Sequence, residues 1–394
     1  MGIIYWSFIN TLSLITKLMR KVLTLFLFGL AIFSNSIVFG QESPRMVMLM
    51  PFCSKQILAN PNHSDAQLSN LSREYYQGAM IAADSLERAA IPVSLSVFDT
   101  ENDSLVLVSL LKKNVLKEAD FILGPVLKGG NKVMSDFVKG KDVFHVSPLM
   151  TLSKSPINDP NFISANPDLP FYAKYIMQFI RAESNDSAQI IVVSDKSGLD
   201  KTISTALKGL AAQGKFYKIK YLDYQKGMSL DNVLSKTLTN HIIIPSSNEN
   251  TVNAAIKSIK DTSAFKGLVV YGFPQWLEFK NPDYVNWQQV NVRIATPFYV
   301  DYGREEVKRF IAAYRERYYT EPTDAAFKGY DQFLFFASRL QLDGKKIMTK
   351  AEGNPQKMLH TVFNFKKQDD KSGYKNTYLN MVGIRNFSFQ HFNK

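Results

Sequence analysis

Cysteine is nearly absent from this sequence: Cys53 is the only one. An internal disulfide is therefore excluded, and with it the class of small secreted domains stapled by disulfides. Cys53 stands in Met50-Pro51-Phe52-Cys53, beyond the N-terminal apolar run and not immediately after it, which argues against lipidation there. At the end of a strand a lone thiol reads as a small buried hydrophobe. Histidine is scarce as well. His63, His145, His241, His360 and His391 are scattered, with no His-x-x-x-His or His/Cys grouping, so no metal site is expected. Enzyme signatures are missing too: there is no Gly-x-Ser-x-Gly, no Gly-x-Gly-x-x-Gly and no phosphate loop. Gly198-Leu199-Asp200-Lys201-Thr202 has a Lys-Thr pair without the glycine spacing, and Asp369-Asp370 sits in a polar stretch that reads as a surface loop. No cofactor and no catalytic activity are expected. Nor is there a low-complexity tract, or a repeat at the spacing of solenoids.

The N-terminus has the layout of a secretory signal peptide. Lys17, Arg20 and Lys21 precede an apolar run from Val22 to Phe33, and Val38-Phe39-Gly40 offers the small residues of a cleavage site after Gly40. The run is short for a bilayer span, which needs about 20 apolar residues, so removal and not an uncleaved anchor is expected. Met19-Arg20-Lys21 is itself an ordinary signal start, which makes Met19 an alternative beginning of translation. The net charge of +12 falls to +9 without residues 1–40, because those three cations are their only charged side chains. The remaining excess is spread singly among acidic residues. With no Arg-rich arm and no basic-aromatic strand motif, nucleic acid is not an expected partner. A periplasmic location follows from the signal and the lack of disulfides.

About 350 residues remain, enough for two lobes of ordinary domain size. Strand and helix alternate through most of them, the pattern of parallel sheets covered on both faces. Met46–Met50, Val93–Phe98, Phe121–Leu123 and Val143–Val146 read as strands. Between the first two, Tyr75, Ala79, Ala82, Leu86 and Ala89 recur at helical spacing, and Leu105–Leu116 reads as the next helix. After Asn166-Pro167 a second series begins: helix Leu169–Ala182, strand Gln189–Val193, helix Asp200–Gln213, and strands Tyr217–Tyr221 and His241–Ile244. Helix Asn248–Lys260 and strands Leu268–Tyr271 and Val292–Ala295 follow. Two further helices carry Val307, Phe310, Ile311, Tyr314 and Tyr330, Phe333, Ala337, Leu340. The tail from Phe363 to Phe389 alternates like strand and turn. With two sheets and no single Pro/Gly/Ser-rich linker, the chain is expected to cross between lobes more than once.

These residues resemble type I periplasmic binding proteins of the leucine/isoleucine/valine-binding kind, and more specifically the exported envelope members found in Bacteroidetes. The resemblance rests on Met48-Leu49-Met50-Pro51-Phe52, Gly78 with Ala82-Ala83-Asp84-Ser85-Leu86, and Val97-Phe98-Asp99-Thr100-Glu101. Ile122-Leu123-Gly124-Pro125-Val126, Val146-Ser147-Pro148-Leu149 and Lys328-Gly329-Tyr330-Asp331 complete it, spanning residues 46 to about 340. It implies an α/β fold of two Rossmann-like lobes with parallel sheets, joined by three hinge crossovers and closing over a ligand. The expected division is 42–165 with 298–345 as lobe one, and 166–297 with 346–394 as lobe two.

Ligands of open α/β sheets sit at the carboxyl ends of the strands, so the turns there supply the candidates. Thr100 and Glu101 either cap the following helix or meet a ligand. Gly124 and Pro125 shape a turn or touch the ligand through it. Ser147 and Thr151 offer hydroxyls beside a helix start, suited to an anionic group. In the family an amino-acid carboxylate is held by small and hydroxyl residues of such turns; here Leu149 and Met150 are bulkier, and Gly124-Pro125-Val126 has no hydroxyl. The family's lobe-two acid is also missing from Gly272-Phe273-Pro274-Gln275-Trp276, with none before Glu278. Phe273, Trp276 and Tyr330 could stack on a ligand or pack within the lobes. The expectation is a solute-binding protein that captures an amino acid, peptide or related small molecule for an inner-membrane ABC permease. The alternative is a non-catalytic envelope module linked to peptidoglycan synthesis.

Overall fold

The computed structural model describes residues 43–126, 130–149, 158–184, 188–213 and 219–392. The expected signal peptide lies outside them. Two seven-stranded sheets account for the architecture.

The first half of the chain supplies β1 (Arg45–Met50), α1 (Ser54–Ala59), α2 (Ala66–Arg88), β2 (Ser94–Asp99), α3 (Ser104–Lys112), β3 (Phe121–Leu123), α4 (Gly130–Val138), β4 (Phe144–Ser147) and β5 (Phe162–Ser164). The second series is α5 (Leu169–Glu183), β6 (Ala188–Ser194), α6 (Gly198–Ala212), β7 (Ile219–Asp223), β8 (Thr239–Ile243), α7 (Glu249–Lys257), β9 (Gly267–Gly272), α8 (Tyr284–Gln289) and β10 (Val292–Thr296). Then come α9 (Glu305–Tyr318), α10 (Asp324–Asp343), α11 (Ile347–Ala351), a small hairpin of β11 (Gln356–Lys357) and β12 (Val362–Phe363), and finally β13 (Phe365–Lys367), β14 (Tyr374–Asn376), β15 (Asn380–Arg385) and β16 (Ser388–His391).

Each sheet repeats one winding. Lobe one runs β13-β14-β5-β4-β3-β1-β2 and lobe two β16-β15-β10-β9-β8-β6-β7. The five central strands are parallel in both, in the order 2-1-3-4-5, as a doubly wound sheet requires. Together these make the type I periplasmic binding protein fold. The winding explains why β1 is apolar from Met46 to Met50: Met46, Met48 and Met50 face α2 and α10, while Val47 and Leu49 face α3 and α4. A strand covered on both faces has no polar side to spare.

Two of the six segments behind the resemblance form a helix crossing. A Cβ on Gly78 of α2 would lie 1.8 Å from the Ala326 carbonyl oxygen, and one on Gly329 of α10 would lie 1.9 Å from that of Tyr75. Only glycine allows these backbones to meet. α10 thereby seals the face of lobe one that α2 begins.

The tail corrects one expectation. Residues 346–394 were assigned to lobe two, but they divide. β13 and β14 extend the lobe-one sheet, and only β15 and β16 join lobe two. Packing decides the split: Phe363 and Phe365 stack on one another at 5.5 Å and lie against Phe335 of α10 at 4.7 and 5.7 Å. Helix α3 also ends at Lys112, short of the expected Leu116.

The chain passes between the sheets three times, after β5, after β10 and after β14. The passages are tied to each other. Asn376 Nδ2 donates to the Ala165 carbonyl at 3.2 Å, and Lys375 Nζ pairs with Asp168 at 2.6 Å. Residues Phe298 and Thr361 bridge, and Tyr299 N donates to His360 O at 2.9 Å. Asp331 of α10, wholly buried, accepts the N–H groups of Leu359, His360 and Thr361 at 2.8–3.0 Å. Burial lifts its carboxyl to about 7 against the pull of those three donors.

Candidate functional site

At the carboxyl end of β2 the acids separate into two roles. Asp99 is saturated: Oδ1 accepts Cys53 N at 3.1 Å and Glu101 N at 2.8 Å, while Oδ2 accepts Ser54 N at 2.9 Å and the Ser54 hydroxyl. Asp103 caps α3 by accepting Leu105 N at 2.7 Å. Capping is thus done by neighbours of Thr100 and Glu101. Thr100 Oγ1 and Glu101 Oε2 are buried with no hydrogen-bond partner, and the two residues are 0 % and 7 % exposed. Glu101 and Asn102 both adopt left-handed backbone. The other Glu101 oxygen has Lys55 Nζ at 3.6 Å, a side chain 82 % exposed, and such pairs hold weakly. Cys53 beside them is buried, and its thiol is pushed up to about 12 by burial and then by Asp65, Asp99 and Glu101. It is a packed thiol, not a nucleophile.

The end of β3 meets the switch point between β1 and β3. Gly124 has φ +111°, and a Cβ there would sit 2.3 Å from the Leu49 carbonyl oxygen. Its peptide bond to Pro125 is cis, and Gly124 N donates to Val146 O at 2.9 Å. These two residues shape the turn at that switch point. Next to them Ser147 ends β4, fully buried, its Oγ without a partner. The turn after it is held from α10: Gln332 Nε2 donates to Pro148 O at 2.9 Å, and Gln332 Oε1 accepts the Tyr75 hydroxyl at 2.8 Å. Gln332 went unnoticed in the sequence, although it directly follows Lys328-Gly329-Tyr330-Asp331. Leu149 is half-buried against the lobe-one core. Thr151 and Met150 lie outside the described residues.

Gly124, Pro125 and Ser147 are therefore brought together. Thr100 and Glu101 share their sheet edge, but β1 and β3 lie between β2 and β4, a distance of about 14 Å at about 4.8 Å per strand. Phe273 and Tyr330 are not brought to these turns. Phe273 is fully buried in the lobe-two core, 6.2 Å from Tyr172. A Cβ on Gly272 would lie 2.4 Å from Trp276, whose indole donates to Ser246 O at 2.8 Å. The lobe-two turn is filled by its own aromatics. Tyr330 packs 4.8 Å from Phe310, inside lobe one. The acid of that lobe-two turn, Glu278, acts electrostatically on Lys328 of α10, which burial pulls down and which Asp324 and Glu278 hold up.

Cavities elsewhere do not compete with this edge. One of about 670 Å³, fringed by Lys132, Asp136 and Lys139, opens beside Asn161 at the amino ends of the lobe-one strands, the wrong end of the sheet for an open α/β ligand. One of about 230 Å³ lies among the crossovers at Tyr299, Tyr378 and His391. Among the described residues no cluster of His, Cys, Asp and Glu could hold a metal, and no helix is long and apolar enough to cross a membrane.

No protein-family model matches the sequence, and no curated protein does. Solved structures do resemble it. A branched-chain amino acid ABC transporter protein from Rhodospirillum rubrum superposes with a TM-score of 0.66 at 13% identity, over 89% of this chain and 100% of that one. An ABC transporter substrate-binding protein from Desulfitobacterium hafniense in complex with Leu gives 0.54 at 13% identity, over 89% and 100%. LpoA from Haemophilus influenzae gives 0.59 at 12% identity, over 89% of this chain and 59% of LpoA. What is shared at such identities is the fold.

Proposed function

We propose that this chain is an exported, periplasmic, non-catalytic solute-binding protein that captures a small ligand between its lobes by hinge closure. It then presents the closed form to an inner-membrane ABC-type permease. One observation carries the reading: Thr100 Oγ1, Glu101 Oε2 and Ser147 Oγ are buried without partners along the carboxyl edge of lobe one. Unpaired buried polar atoms cost about 1–3 kcal/mol each, and a ligand's hydrogen bonds would remove that cost. Thr151, four residues after Ser147 in the sequence, is assigned the same role. Gly124 and Pro125 supply the surface the ligand rests on. The three bundled crossovers fit a hinge, and the solved relatives described as transporter components share the fold.

The test is thermal unfolding against amino acids, short peptides, sugars and peptidoglycan fragments. A ligand at 100 times its dissociation constant adds about 2.7 kcal/mol to the folded state, which raises the midpoint by about 2–4 °C per kcal/mol. A shift with one class identifies the solute. No shift with any class removes the solute-binding reading. It would favour the second one, a non-catalytic envelope interaction module linked to peptidoglycan synthesis. The aromatic filling of the lobe-two turn by Phe273 and Trp276 is what speaks for that alternative, and capture of a cell-wall partner would establish it.

A further inference from the structure

We propose that the solute is elongated and carries a primary ammonium group at one end, received by Glu101 of lobe one. The inference rests on the cleft-binding reading above and adds the ligand's length and charge to it.

Chemistry at the β2 turn comes first. Of the two acids there, the local fold consumes Asp99 completely, through four donors. It leaves Glu101 Oε2 buried and unpaired. A buried carboxylate is destabilising unless donors or a cation compensate it, and Lys55, held loosely at 3.6 Å from the other oxygen, compensates little. An incoming –NH3+ supplies three donors and a charge. The threonine hydroxyl beside it, Thr100 Oγ1, also lacks a partner and can accept one of those donors.

Lobe two points the same way. Its turn after β9 reads Gly272-Phe273-Pro274-Gln275-Trp276, with no acid before Glu278, and is filled by its own buried aromatics. Length then follows from topology. The other unpaired hydroxyl, Ser147 Oγ, lies three strand spacings from Glu101 in the order β4-β3-β1-β2, about 14 Å. A single amino acid cannot touch both. An extended chain advances about 3.3–3.6 Å per residue, so about four residues span the distance, with the ammonium at Glu101 and an acceptor group at Ser147.

Calorimetric titration of the protein with tetra-alanine, N-acetyl-tetra-alanine and leucine tests this, together with E101Q and S147A variants. The expected result is binding of tetra-alanine that weakens at least tenfold on acetylation, and at least tenfold in E101Q. S147A should weaken binding while keeping the preference for the free amine. The ligand-free thermal midpoint of E101Q should equal or exceed that of the wild type, because the substitution removes a buried charge the fold does not use. Equal binding of the acetylated peptide, or tight leucine binding without tetra-alanine binding, overturns the inference and leaves cleft binding standing. Silence of all three probes also overturns it, while the cleft reading falls only if the wider solute screen is silent too. A lowered midpoint in E101Q would make Glu101 part of the fold and overturn its assignment.

Discussion

His241 on β8 is 1 % exposed, with Nδ1 at 3.0 Å from the Tyr271 hydroxyl and Nε2 at 2.6 Å from Ser184 Oγ. Burial, and then Arg293, lower it to about 4, so it stays neutral in the folded protein. In the unfolded chain it titrates near its ordinary value of 6.5. Between about pH 4 and 6.5 the unfolded chain therefore binds the extra proton, and the contribution of His241 to stability rises with pH across that window and levels off above it. Denaturant titrations at pH 4.5 and 7 should show a change between the two pH values about 1–3 kcal/mol more favourable in the wild type than in an H241N variant. An identical change in the variant would place the titration elsewhere. At this scale the sequence was only half legible. It marked Asp99–Ser104 as a run able to cap a helix or meet a ligand, and it had no means of dividing the work. Side-chain direction divides it: Asp103 caps α3, Asp99 accepts from the start of α1 and from Glu101 N, and Thr100 Oγ1 and Glu101 Oε2 are left without a partner. Phe273 was beyond reach for a related reason. An aromatic after a strand looks the same whether it faces a ligand or, as here, the core.

Helices α2 and α10 meet backbone to backbone at Gly78 and Gly329. Replacing Gly329 by alanine should force them apart and lower stability by about 3 kcal/mol or more, at the upper end of overpacking effects. Equilibrium urea unfolding measures it, and a loss below about 1 kcal/mol would mean the crossing yields easily. Elements were the most readable level of this chain, because each strand buried on both faces appears as an unbroken apolar run and each covering helix repeats its small and apolar residues every three or four positions. β1, β3, β4, β6, β8, β9 and β10 all lie where those runs stand, and β2, a largely exposed edge strand, lies within one residue of its expected place. The short pieces were not legible. α1 and β5 span six and three residues, too few to show a period, and their place is fixed by contacts with distant partners.

The lobes as a whole are linked by the crossovers, and Glu278 of the lobe-two turn acts electrostatically on Lys328 of α10. Replacing Lys328 by methionine keeps much of the side chain's bulk and removes its charge. Small-angle scattering should then show a larger radius of gyration than the wild type, and raised salt should move the wild type in the same direction. An unchanged radius in both experiments would remove this pair as a latch. Two lobes and repeated crossing were readable from two βα series without a linker between them. The fate of the tail was not, since alternation identifies a strand but never names the sheet it joins. That fate sets a timetable for synthesis. Lobe one waits for α10 and for β14, which ends at Asn376; lobe two waits for β15, which begins at Asn380. As the chain leaves the ribosome, β5 and β10 keep bare edges until β14 and β15 emerge. Neither half can finish alone, so both are completed nearly together, by two strands only a few residues apart.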